Sequence, residues 1–123
     1  MSDDIRPGEA IEHLIAAYNE HDLGGFLACH DERITVRTHP TGEVLVRGHD
    51  ELKARYQPHF REHKTQCTVL RRIVFGSFVI DHVEVTGLPE QSVIPGVSMY
   101  QIENGLVTRV WLLEARQEPS IAA

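Results

Sequence analysis

The chain has 123 residues, 41% of them hydrophobic and 24% charged, with a net charge of −6. This make-up fits about one globular domain, expected to span residues 1–123 with a core from about 8 to 115. It excludes a membrane-spanning helix, which needs ~20 consecutive apolar residues, and gives no electrostatic pull toward nucleic-acid phosphates or anionic membranes.

The opening Met1-Ser2-Asp3-Asp4 lacks the apolar core of a secretory signal. A cytoplasmic location with Cys29 and Cys67 reduced is therefore expected. Ile11, Leu14, Ile15 and Tyr18 recur at helical spacing and form one apolar stripe. Pro7 suits the first turn of that helix, and Glu9 and Glu12 sit near the positive end of its dipole. The helix should stop near His21, with Asp22 capping a short second helix that carries Phe26, Leu27 and Cys29.

Strand-like text follows. Ile34-Thr35-Val36-Arg37, the turn Pro40-Thr41-Gly42 and Val44-Leu45-Val46-Arg47 predict a hairpin. A third helix is expected from His49 to Gln57, with Leu52 and Tyr56 one turn apart and Pro58 ending or kinking it. Four strands complete the pattern, over 65–75, 78–86, 93–102 and 106–114. Gly76-Ser77 and Asn104-Gly105 mark tight turns between neighbours. Only the first few residues and 117–123 look loose. Helices followed by a long antiparallel run predict an α+β fold with helices on one face of the sheet. The chain lacks a Gly-rich phosphate loop.

Alternation along the strand 78–86 puts Phe78, Ile80, His82, Glu84 and Thr86 on one face and Val79, Asp81, Val83 and Val85 on the other. A carboxylate two residues from an imidazole can orient it and raise its basicity. Asp81 is a single charge in an apolar row and wants a partner, with Arg72 on the neighbouring strand the candidate. His59 and His63 would share a helix face if the helix continued past Pro58, but a metal site needs a third ligand, and no metal site is expected.

Three phrases carry a resemblance. Asn19-Glu20-His21-Asp22 resembles the "Asn-x-x-Asp" helix end of SnoaL-like and ketosteroid-isomerase-like proteins. Gly48-His49-Asp50-Glu51-Leu52 resembles the start of their third helix, and Asn104 to Trp111 their closing strand. The chain thus resembles the NTF2-like superfamily over roughly residues 8 to 115. That resemblance implies an NTF2-like or cystatin-like cone, with three N-terminal helices on a strongly curved, mixed, mostly antiparallel six-stranded sheet. It implies a pocket for a small apolar molecule, no cofactor, and a homodimer through the opposite sheet face, where Trp111 would lie.

The resemblance also implies site residues. Ketosteroid isomerase uses an Asp base with a Tyr and a protonated Asp as oxyanion hole. The base position matches His39, beside Pro40, or the adjacent Thr38; the tyrosine falls on Leu14 and the acid near Val97, so neither donor is present and Tyr18 is the substitute. The Asp-Arg-Asp set of limonene-epoxide-hydrolase-like members falls on Thr86, Glu84 and Leu112, which do not preserve it. With the His82/Glu84 row taken as the inner face, His39, His82 and Glu84 become the candidate proton handlers, with Tyr56 the candidate phenol donor. Leu14, Tyr18, Phe26, Tyr56, Phe60, Val97, Met99, Val110, Leu112 and Glu114 become the candidate pocket wall. The function implied is a small-molecule-pocket protein. It would be either a cofactor-independent acid–base enzyme of the isomerase, cyclase or hydratase class or a non-catalytic binding or dimerisation module.

Overall fold

A computed structural model describes residues 5–89 and 92–114. The expected loose ends, 1–4 and 117–123, lie outside the described residues. The elements run α1 (Pro7–Asn19), α2 (Leu23–Ala28), β1 (His30–His39), β2 (Val44–Arg47), α3 (Gly48–Glu62), β3 (Gln66–Phe75), β4 (Phe78–Thr86), β5 (Ile94–Glu103) and β6 (Leu106–Leu113). The strands form one sheet in the order β2-β1-β6-β5-β4-β3. Only the β1–β6 pairing is parallel. Register shifts interrupt β1, β3 and β5, and such irregularities bend and twist strands. The sheet curves around the helices without closing into a barrel.

The apolar stripe of α1 faces inward, burying Ala10, Ile11, Leu14 and Ala17. Asp22 caps α2 by accepting from the Gly25 amide at 3.0 Å. Asn19 has a different task. Its side chain accepts from the Cys67 amide at 2.7 Å and donates to the Cys67 carbonyl at 3.0 Å. The helix end is thereby clasped to the backbone of the edge strand β3. The Asn19–Asp22 spacing thus serves a docking clasp and a helix cap.

α3 runs through Pro58 instead of ending there. Proline removes one helical donor and strands the carbonyl of Ala54. Both residues are exposed, so water can satisfy that carbonyl. The extra turn buries Phe60, an apolar gain of about 1.5–3 kcal/mol that helps hold the helix together.

The concave sheet face carries Val36, Val79, Val83, Tyr100 and Val110, all buried. Asp81 lies in the same row of β4 and is fully buried. Arg72, its direct neighbour on β3, binds it through two parallel bonds, Nε to Oδ1 at 2.6 Å and Nη2 to Oδ2 at 2.9 Å. Arg72 also reaches Glu12 of α1 at 3.7 Å. The bidentate pair makes a charge tolerable in an apolar row.

Removing one partner strands the other charge. Asp81→Ala is expected to cost about 3–5 kcal/mol in urea unfolding, and the double change Asp81→Leu with Arg72→Met to recover most of it. A double variant no more stable than the single one would contradict this account of the pair.

Candidate functional site

Between the concave face and the helices lies a cavity of about 160 Å³. Leu14 and Tyr18 of α1, Phe26 of α2, and Leu52 and Tyr56 of α3 form its helical wall. Val36, Val83, Val110 and Leu112 are its apolar sheet wall, and His30, Cys67, Ser98 and Tyr100 supply the polar groups on it. Aromatic edges brace one side: Phe60 meets Tyr18 with ring centroids 5.4 Å apart and Phe26 at 5.5 Å.

Of the wall residues expected from sequence, Leu14, Tyr18, Phe26, Tyr56, Val110 and Leu112 lie on the cavity. Phe60 is buried behind the wall. The expected positions of Val97, Met99 and Glu114 require correction. Met99 pairs with Ile80 and Trp111, and Val97 with His82, all on the convex face. Glu114 is exposed and accepts from the Thr41 hydroxyl at 3.2 Å.

The three expected proton handlers are corrected in the same way. His82 and Glu84 alternate with the buried Val79, Asp81 and Val83, so they face outward. His39 is exposed beside Leu113, on the outer side of β1. None of the three lines the cavity. Burial decides the face of β4: three valines go inside, and the one charge among them is neutralised by Arg72.

The imidazole on the cavity wall is His30, at the start of β1 and 4% exposed. Its Nδ1 lies 2.8 Å from the Phe26 carbonyl. A carbonyl oxygen only accepts, so in the neutral ring Nδ1 carries the proton and Nε2 presents a lone pair. Burial, aided by the nearby His49, lowers the His30 pKa to about 4, against the partial support of the Phe26 bond. His30 is not among the site residues expected from the sequence. The signal was the Phe26/His30 spacing, one helical turn.

The phenols stay protonated. Burial raises Tyr18 and Tyr56, and Arg55 partly offsets this for Tyr56. Burial and then the charge of Asp81 raise Tyr100, with a bond from Ser98 opposing them. Burial pushes the Cys67 thiol up to about 11, which leaves it protonated and a poor nucleophile. Outside the cavity, His59 Nε2 lies 3.0 Å from the Tyr18 hydroxyl and 3.2 Å from that of Thr65. Its ring centroid is 5.6 Å from that of His63. Among the described residues no cluster of three or more His, Cys, Asp or Glu is placed to hold a metal.

The unfolded chain protonates a histidine near pH 6.5, whereas folded His30 resists until about pH 4. As pH falls between these values, protons favour the unfolded state, and His30 alone should remove on the order of 3 kcal/mol of stability. His59, also lowered by burial, acts in the same direction. The His30 ring resonances should therefore stay fixed above pH 5 in an NMR titration, and His30→Gln should flatten the acid loss of stability. A His30 midpoint near 6.5 would contradict the assigned burial.

A SnoaL-like domain family matches residues 11–110. No curated protein matches the chain in sequence. A Kribbella flavida protein provisionally named a ketosteroid isomerase is 23% identical with a TM-score of 0.79, covering 98% of this chain and 87% of its own. An uncharacterised cystatin-fold protein from Novosphingobium aromaticivorans is 17% identical with a TM-score of 0.79, covering 89% and 99%. IdmH of Streptomyces antibioticus, provisionally named a polyketide cyclase, is 16% identical with a TM-score of 0.74, covering 88% and 91%. At these identities the structural likeness is one of fold. The family match extends over most of the chain, and with the six-stranded sheet and its helices it establishes that this chain belongs to the SnoaL-like family.

Proposed function

We propose that this protein binds a compound of about one ring and performs cofactor-independent acid–base chemistry on it. His30 accepts a proton, and the phenols of Tyr18, Tyr56 and Tyr100 stabilise the developing oxygen charge. The observation that carries this reading is a neutral imidazole on the wall of a mainly apolar cavity, its Nδ1 engaged by a carbonyl and its Nε2 left as an acceptor. Removal of a proton next to a carbonyl is the step that isomerisation, cyclisation and dehydration of carbonyl compounds share. Neutral phenols are suitable donors to the enolate oxygen. The size of the site supports a small ligand, since an apolar cavity of about 150 Å³ accommodates benzene.

One observation favours the alternative, a non-catalytic binder: a base with a pKa of about 4 has little driving force for taking a carbon-bound proton. Deuterium uptake beside the carbonyl of 3-cyclohexen-1-one, followed by NMR in D2O, separates the two readings. The enzyme reading expects at least about a 10²-fold acceleration, lost in His30→Gln. Binding without acceleration would leave the binder reading. The same ketone should protect the protein against thermal unfolding, while a four-ring steroid should not.

The convex face supports a homodimer. Ile73 and Phe75 are 59% and 76% exposed, and they continue into Phe78, Ile80, Met99 and Trp111 across the strand pairs. An apolar surface of this kind suits a self-complementary interface. Sedimentation at micromolar concentration should give twice the chain mass, and Phe75→Glu should give the monomer. A monomeric wild type would refute the dimer.

A further inference from the structure

A second, open depression of about 400 Å³ adjoins the cavity. The two share Tyr18 and Tyr56, and the depression adds Arg55 and His59. The chemistry changes across these two phenols. Inside, the wall is aliphatic and aromatic. Outside, it is basic.

This basic character runs against the chain as a whole, whose net charge is −6. The groups whose charges bear on His59 are His63, His21 and Arg55, all of them basic. Among the described residues ion pairs are made by Arg72 alone, so Arg55 keeps its guanidinium open. Arg55 also bears electrostatically on the Tyr56 phenol, and both stand at the rim.

An exposed arginine on a helix is ordinarily a solvated surface group. Arg55 differs in standing at the mouth of an apolar cavity, next to two phenols that can donate to the same ligand. A guanidinium presents paired donors that match a carboxylate.

We propose that the depression formed by Tyr18, Arg55, Tyr56 and His59 is an anion subsite, and that the ligand is a one-ring carboxylate. Its ring enters the cavity and its carboxylate stays outside on Arg55. This inference rests on the pocket reading above and adds a charge requirement to it.

The test compares 3-phenylpropionate with its neutral isostere 3-phenylpropionamide by titration calorimetry at low salt. Wild type should bind the carboxylate about tenfold more tightly than the amide, the size of one charge-assisted contact. Arg55→Gln should abolish that preference. Lys53→Gln removes a charge from another side of α3, outside the depression, and should retain it. Equal binding of the two probes by wild type would overturn the subsite and leave the cavity standing, as would loss of the preference in Lys53→Gln. Binding of neither probe would overturn the cavity reading and the subsite with it.

Discussion

Arg72 is gripped from the sheet by Asp81 at 2.6 and 2.9 Å and lies 3.7 Å from Glu12 on the helix above. Directly after Tyr18, the last residue of the apolar stripe of α1, Asn19 exchanges two hydrogen bonds with the backbone of Cys67. Both attachments join α1 to β3, the strand at the far edge of the sheet from the α3–β1 contact. They set the distance between helix and sheet at that end, while α3 covers the other. A curved sheet roofed this way leaves space that its own side chains do not fill. A buried ion pair between two strands is costly unless its geometry is good, and the bidentate arrangement meets that condition. The pair also leaves the rest of the concave face apolar, because its charges satisfy each other.

The same burial sets the chemistry of the cavity. A low-dielectric wall keeps the phenols protonated and His30 neutral. The groups facing a ligand are therefore neutral donors and one neutral acceptor. Charge begins only at the rim, with Arg55. The aromatic contacts among Tyr18, Phe26, Tyr56 and Phe60 hold the wall in place. A site built from packed rings keeps its shape better than one built on loops.

Much of this was legible in the sequence. The element order, the cap at Asp22 and the demand of Asp81 for Arg72 follow from periodicity and the cost of an unpaired charge. Alternation correctly grouped His82 with Glu84 and Val79 with Val83. It could not say which group points inward, since period two fixes pairs of faces and not their sides. The apolar content of the Val79–Val85 row was the better guide, and the satisfied Asp81 was no obstacle. The same inversion moved Val97 and Met99 outward and brought Ser98 and Tyr100 in. His30 escaped notice because its value comes from a tertiary fact, burial against Phe26. The passage of α3 through Pro58 likewise depended on solvent around Ala54 and a core slot for Phe60, neither visible locally.

On this reading the space under α1 receives a ring and His30 meets it. Crystals soaked in 4-bromophenol test this directly, because bromine scatters anomalously and marks its own position. One strong anomalous peak is expected inside the cavity, with the phenol oxygen in hydrogen-bond reach of His30 Nε2 or a wall tyrosine. Bromine found only on the convex face, with the cavity closed by its own side chains, would contradict it.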